Sequence, residues 1–196
     1  MQKTQVKTGD IGIKVEEVIK ELEKLENKKN IEGMKRFGIT SKARILGISK
    51  PVLKKIAKKL GKNTFLALKL WETGIHEARI LATLIADPKE FEKEYALIWV
   101  KDVDNWDICD QFALNLLWKT NYAIEIAKHF CKSKDEFVKR EGLALMAKLL
   151  MSRKNLDRKV VEEFKEIAEK HLSDRRKYVK KAALWVLKKI EKQNIF

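Results

Sequence analysis

The chain has 196 residues, with eight glycines and two prolines. This length suffices for one domain with a substantial core, and the scarcity of helix breakers favours helix throughout. The 43 Lys and Arg residues exceed the 28 Asp and Glu residues, which gives a formal net charge of +15. A polyanionic partner is the leading explanation for this excess. The alternative is the Lys and Glu enrichment of proteins from hot environments, although that enrichment raises both signs together.

Cysteine and histidine usage argues against a metal site. Cys109 and Cys131 lie in apolar surroundings that suit a small hydrophobe, which indicates a reducing, intracellular setting. The three histidines show no ligand spacing with each other or with the cysteines, so neither a metal nor another cofactor is expected. Neither a signal peptide nor an apolar run of about 18 residues is found. We therefore expect a cytoplasmic, nucleoid-associated protein without a membrane partner.

Helical periodicity begins near the N-terminus and continues along the chain. Residues 1–10, MQKTQVKTGD, lack periodicity and are expected to form a flexible tail. Residues 11–196 are expected to form a single all-helical domain, because apolar residues recur at helical spacing between short breakers. We count about ten or eleven predicted helices joined by short turns.

Four segments form a weak internal repeat in which polar residues lead into an apolar stripe. They are IHEARILATLIAD from Ile75, ICDQFALNLLW from Ile108, VKREGLALMAKLL from Val138 and VKKAALWVLKKI from Val179. This spacing suits stacked helix pairs of the HEAT type, which build a superhelix with one concave face. The predicted fold is therefore all-α, a right-handed superhelical solenoid of HEAT-like helix pairs with a concave basic groove. An ordinary helical bundle is the alternative.

The segment DNWDICDQFALNLLW, residues 104–118, places an acid among apolar residues. On a helical wheel, Asp110 falls inside a continuous apolar arc. The polar strip on the far side, where solvent is expected, consists of Asp107, Gln111 and Asn115. Trp106 and Asp110 project from one face because they are four residues apart. A carboxylate in such surroundings requires a cation, which either a ligand or an ion pair with a lysine of the next helix supplies.

Trp185 lies opposite the apolar stripe of the last predicted helix. Its neighbours on the wheel are Lys181, Lys188 and Lys189. An indole among ammonium groups suits a DNA-facing surface, because lysines contact phosphates and the ring contacts a base or sugar. The alternative is a partly exposed tryptophan that packs on lysine stems.

Arg140 is a candidate phosphate ligand. On its wheel it is bordered by Ala144 and Ala147, small residues that leave room for another surface to approach. A guanidinium in this position can hold a phosphate through two parallel hydrogen bonds. Alternatively, it forms a salt bridge to Glu141 or to a neighbouring helix.

Six blocks of the sequence together resemble one known family. They are EGMKRFGI, ILGISKPVLKKIAK, HEARILATLIADP, WVKDVDNWDICDQ, EFVKREGLALMAKLL and VKKAALWVLKKIEKQN. Their content and order are similar to those of the DNA alkylation repair family, the HEAT-like repeat DNA glycosylases of the AlkD type. The resemblance covers most of the chain, from about Ile11 to Asn194.

The resemblance implies a site and a reaction. Four residues would surround the damaged nucleotide: Trp106, Asp110, Arg140 and Trp185. Four lysines are expected to contact the DNA beside them: Lys139, Lys180, Lys181 and Lys188. The implied reaction is hydrolysis of the N-glycosidic bond of cationic N3- or N7-alkylated purines in double-stranded DNA, without a base-flipping pocket. The carboxylate would stabilise the developing cation on the sugar, the indoles would offer their ring faces to it, and the guanidinium would fix the phosphate.

Two other functions are compatible with the same residues. One is a catalytically inactive HEAT-repeat protein that binds bent or branched DNA, and the other is a scaffold for an acidic protein partner. In each case we expect a monomer, because a repeat protein with capped ends needs no second copy.

Overall fold

The fold is known from a computed structural model that describes residues 8–153 and 155–192, with side chains from residue 14 onward. Within these ranges the chain forms eleven α-helices, two short 3-10 helices and one isolated parallel β-bridge, between Arg44 and Ile75. The predicted all-α class is confirmed. The first helix begins at Thr8, three residues before the predicted domain start, and residues 1–7 of the predicted tail lie outside the described residues.

The chain divides into two compact units, Met1–Glu90 and Phe91–Phe196. The prediction of one domain over residues 11–196 stays a prediction. The helices of the first unit are α1 (Thr8–Glu23), α2 (Lys28–Arg36), α3 (Lys50–Leu60), α4 (Thr64–Glu72) and α5 (His76–Ile85). Helix α5 packs against α3 and α4 through fully buried residues such as Leu53, Leu66, Leu70 and Leu81.

A buried acid organises the loop between α2 and α3 in the first unit. Glu77 on α5 is fully buried, and its carboxylate accepts hydrogen bonds from the backbone amides of Leu46 (2.8 Å), Gly47 (2.7 Å) and Ile48 (3.3 Å). Hydrogen bonds to a charged group are stronger than those between neutral groups. This carboxylate therefore fixes the course of residues 46–48 against α5.

The second unit contains the repeat predicted from the sequence. Its helices are α6 (Lys93–Trp99), α7 (Trp106–Asn115), α8 (Ala123–Cys131), α9 (Glu136–Ser152), α10 (Arg158–Lys170) and α11 (Lys177–Glu191), with 3-10 helices at Val100–Asp102 and Leu117–Lys119. Helix α9 packs between α7 and α11, and these three helices form what we call the repeat layer. The flanking helices α8 and α10 pack on α9 and α11, respectively. Three of the four superposed segments thus form successive members of one layer, which confirms the repeat interpretation for this unit.

Candidate functional site

Helix α7 presents a side to solvent that differs from the wheel prediction. Asn105 caps the helix by accepting hydrogen bonds from the backbone amides of Asp107 and Ile108. Asp107 and Gln111, expected to be solvated, are buried. The partly accessible stripe consists instead of Trp106, Asp110, Leu114 and Asn115. The prediction of the solvent-facing side from the helical wheel was wrong. Most of this helix is buried, polar residues included, so the position of the polar residues on the wheel does not identify the exposed side.

Asp110 and Arg140 form an ion pair between α7 and α9. The Arg140 Nη2 donates to the Asp110 Oδ1 at 2.7 Å, and the Arg140 Nη1 donates to the backbone carbonyl of Tyr178 at 3.0 Å. The Arg140 side chain is 8% exposed and that of Asp110 is 19% exposed. A single guanidinium thus joins all three helices of the repeat layer. The sequence left open whether each of these residues contacts DNA or forms a salt bridge within the protein. The structure shows one salt bridge that joins the two, so the partner of Asp110 is an arginine rather than a lysine.

The surroundings of Arg140 differ from the sequence expectation. Ala144 and Ala147, expected to leave room for another surface, are fully buried within the unit. The reason is that α9 packs against α7, α8 and α11. A phosphate contact by Arg140 stays a prediction, and it is opposed by burial, because only 8% of the side chain is exposed although the guanidinium keeps further N–H donors beside the two that are bonded.

Glu141, directly after Arg140, is an acid that the sequence-based site did not include. It is fully buried, and burial raises the pKa of its carboxyl well above the ordinary range, with a further increase from the nearby charge of Asp110. Cys109 is also fully buried, with Sγ 3.4 Å from the carbonyl oxygen of Phe137. Burial, assisted by the charge of Glu141, raises the pKa of its thiol well above the ordinary range. Cys109 is therefore a packed hydrophobe rather than a nucleophile.

Helix α11 presents lysines and an indole as predicted. Val179, Ala182, Ala183, Val186 and Ile190 form its buried stripe. Trp185 is half-buried on another side, near the exposed Leu184. Lys180, Lys181 and Lys188 are exposed, which suits their expected contact with DNA. The same layer thus carries all four predicted site residues, but an ion pair joins only Asp110 and Arg140.

Lys139 lies in a more mixed electrostatic environment. Its positive charge contributes to lowering the pKa of both Asp174 and His171, so these side chains lie near it. The largest cause for Asp174 is its hydrogen bond with Arg176, and the largest cause for His171 is burial. Lys139 is thus half-buried near the ion pair of Asp174 with Arg176, whereas the three predicted lysines of α11 are exposed.

Trp118 is a second tryptophan of this unit that lies close to cations, and it was not among the site residues predicted from the sequence. The ammonium groups of Lys119 and Lys148 lie 5.6 Å and 4.6 Å from the centroid of the Trp118 ring. Partial burial and the charge of Lys148 lower the pKa of Lys119. Two like charges over one ring favour an anionic ligand. The repeat predicts this proximity, because Trp118 and Lys148 are both the eleventh residue of their segments.

Other surfaces of the second unit are less suited to DNA. A groove of about 900 Å³ between α8 and α10 is crossed by an ion pair of 2.6 Å between Lys128 and Glu163, and acids and bases both line it. Among the described residues, no group of three or more His, Cys, Asp or Glu side chains is placed to hold a metal ion. Within those same ranges, no helix combines the length and apolar character needed to cross a membrane.

Comparisons with known proteins agree with this architecture. The family model of the DNA alkylation repair enzymes matches residues 18–195. A solved structure, described as "a new family of proteins related to the HEAT-like repeat DNA glycosylases with affinity for branched DNA structures", matches with a TM-score of 0.79 and 26% sequence identity, over 90% of this chain and 75% of that chain. No curated protein sequence matches. The family model spans nearly the whole chain, and the chain therefore belongs to the DNA alkylation repair enzyme family.

Proposed function

We propose that this protein binds branched DNA through the side of α11 that carries the exposed lysines and through the part of the repeat layer next to it. The observation that carries the proposal is the half-buried Trp185 beside exposed Lys181 and Lys188. Lysines in such an arrangement contact phosphates and release counterions, and the indole supplies a face on which a base or sugar can rest. The net charge of +15 supports the same partner, as does the affinity for branched DNA described for the structurally similar protein.

The hydrogen bonds and burial of Arg140 argue against a strong phosphate contact at the centre of the repeat layer. Its guanidinium is already hydrogen-bonded to Asp110 and to the Tyr178 carbonyl, and its side chain is almost fully buried. Most of the affinity is therefore assigned to exposed lysines. The binding free energy then depends mainly on the number of phosphates contacted, and it falls steeply with salt.

The test compares a four-way junction, a three-way fork and a linear duplex of matched length by fluorescence anisotropy at several salt concentrations. We expect tighter binding to the branched forms. The triple variant Lys180→Gln, Lys181→Gln, Lys188→Gln should reduce the slope of log affinity against log salt by roughly one for each phosphate that the variant no longer neutralises. Equal affinity for all three DNAs would contradict the preference for branches.

A matched control separates a local contact from an effect of net charge. Lys132, Lys159 and Lys170 are exposed residues at the flanking helices α8 and α10. Their triple replacement by glutamine removes the same total charge as the α11 variant. If both triple variants lose the same affinity, the α11 surface is not the binding site.

Excision of alkylated purines from duplex DNA is the second candidate function. It is favoured by the position of Asp110, which lies on the partly accessible stripe of α7 one turn after Trp106. In this reaction the bond between the sugar C1′ and the base nitrogen breaks, and its electron pair neutralises the cationic base. Water then adds to C1′ and loses a proton. A preorganised carboxylate stabilises the cationic sugar, and no strong general acid is needed because the leaving base is already charged.

The excision test uses a duplex with a single N7-methylguanine and measures abasic sites. Release above that in buffer is expected if the protein is a glycosylase, and Asp110→Asn should then lower the rate while DNA affinity is nearly unchanged. Thermal unfolding of Asp110→Asn is the control for loss of the Arg140 ion pair. No release by the folded wild-type protein would eliminate this second function and leave the binding proposal intact.

A further inference from the structure

Phe37 is an aromatic residue at the end of an exposed helix. It follows the last residue of α2, and it is 78% exposed. None of the nine residues of α2, all of which the structure describes, is buried. Single exposed apolar residues are common on protein surfaces, so it is the charges around Phe37 that indicate a partner.

The N-terminal end of α2 is hydrogen-bonded to the loop that precedes α3, although the C-terminal end of the helix is exposed. The backbone amide of Asn27 donates to the Leu46 carbonyl at 2.8 Å, and the Asn30 side chain donates to the Gly47 carbonyl at 2.9 Å. Gly47 has φ +74° and packs so closely that an added Cβ would lie 2.4 Å from the Asn27 carbonyl oxygen. The Glu77 carboxylate holds the same loop from the other side. Phe37 is therefore presented on an anchored helix.

The surroundings of Phe37 are cationic. Lys28, Lys29, Lys35 and Arg36 on α2 are all exposed, whereas Glu32 is the single acid of the helix and lies 4.0 Å from Arg36. An apolar protein surface would gain little from a single ring within this positive field. Nucleic acid supplies both phosphates for the cations and flat bases for the ring. An unpaired base suits the ring better than a paired one, because its face is already accessible.

We propose that Phe37 stacks on an unpaired base at the branch point of DNA, while the lysines at the ends of α2 contact the adjoining phosphates. This inference rests on the proposed binding of branched DNA. It adds that an aromatic side chain of the first unit recognises the unpaired base at the branch. The contact is sequence-tolerant, because every base offers a ring face.

The experiment uses the full-length chain and a three-way fork with 5-iodouracil at an unpaired position of the branch. Ultraviolet irradiation crosslinks this base to an aromatic ring stacked on it, and mass spectrometry identifies the crosslinked peptide. We expect the crosslink at Phe37. Phe37→Ala should lose it and weaken fork binding by about 5- to 100-fold, with duplex affinity changed less than about two-fold.

Three further variants make the outcome specific. Phe37→Trp should keep both the crosslink and the affinity, whereas Phe37→Leu, which keeps an apolar side chain without a ring, should lose both. Phe65→Ala removes another exposed phenylalanine of the first unit, on α4, and should bind the fork like wild type. Wild-type fork affinity in folded Phe37→Ala or Phe37→Leu would overturn the inference alone, and absence of DNA binding by the wild-type protein would overturn the proposed function as well.

Discussion

Asp110 and Arg140 occupy the same position in two successive repeats, and the 2.7 Å ion pair between them joins adjacent helices of the repeat layer. Each is the third residue of its segment, counted from Ile108 and Val138. Equivalent residues of stacked repeats lie side by side because each repeat contacts its neighbour in the same way. The two residues that the family resemblance assigns to catalysis and phosphate binding therefore also hold the layer together.

The stability of the layer should depend on this pair as a unit. Asp110→Asn leaves a buried guanidinium without its countercharge, and Arg140→Met removes the countercharge of Asp110. Each single variant should destabilise the protein by about 1–4 kcal/mol, since losing one partner of a buried pair is costly. The double variant should be less destabilised than the sum, with a coupling of about 1–3 kcal/mol. Urea unfolding of the four proteins measures this, and additivity within about 0.5 kcal/mol would contradict it.

The sequence predicted the repeat better than it predicted side-chain exposure. Helical class and the members of the repeat layer follow from periodicity, which depends on local spacing. The exposure of Asp107 and Gln111 was predicted wrongly, because a helix covered on several sides has no single polar strip for a wheel to identify. The burial of Arg140 depends on α7 and α11, which are distant in the sequence. The alignment of Asp110 with Arg140 was nevertheless present in the superposed segments, so repeat register is the pattern from which their contact follows.

The buried Glu141 should make stability depend on pH. Its pKa is raised in the folded state, whereas an unfolded glutamate titrates near about 4.3. Above that pH the unfolded chain loses this proton while the folded chain retains it, so the free energy of unfolding falls as pH rises towards the folded pKa. The stabilising contribution is complete below the unfolded pKa. Glu141→Gln removes this dependence and should gain stability relative to wild type as pH increases.

Urea unfolding at several pH values between 5 and 9, chosen to span roughly the range in which the two states differ in protonation, measures the Glu141 contribution. Glu169→Gln, at an exposed position of α10, is the matched control. The control should follow the wild-type pH profile. A profile for Glu141→Gln that is parallel to that of wild type would show that Glu141 titrates alike in both states.

The Glu77 carboxylate should be required for the order of residues 46–48. Glu77→Gln keeps the shape but replaces one acceptor oxygen by an NH₂ group, which then faces a backbone N–H donor. We expect a loss of about 2–4 kcal/mol in the free energy of unfolding, since hydrogen bonds to charged groups contribute about 1.5–3 kcal/mol. Hydrogen exchange should become faster at the amides of Leu46 and Gly47. The exposed Glu72→Gln should change stability by less than about 0.5 kcal/mol; unchanged exchange in Glu77→Gln would refute the anchoring role.

Gly142 should resist a substitution that helix propensity favours. Its backbone on α9 approaches α8 so closely that an added Cβ would lie 2.6 Å from the Ala127 carbonyl oxygen and 2.9 Å from the backbone nitrogen of Cys131. Alanine gains about 1 kcal/mol in helix propensity over glycine, but separating two packed helices costs about 1–3 kcal/mol or more. Because the blocking atoms belong to the backbone and cannot rotate away, we expect Gly142→Ala to be destabilised.

Gly33 provides the opposite case within the same chain. It lies in α2, and an added Cβ there meets nothing within 4 Å. Only the propensity term then acts, so Gly33→Ala should stabilise the protein by about 0.5–1 kcal/mol. Thermal or urea unfolding of both variants should therefore give shifts of opposite sign. If Gly142→Ala were instead stabilised, α8 and α9 could move apart at little cost in free energy. Close packing at Gly142 would then not fix the positions of the neighbouring Arg140 and Glu141.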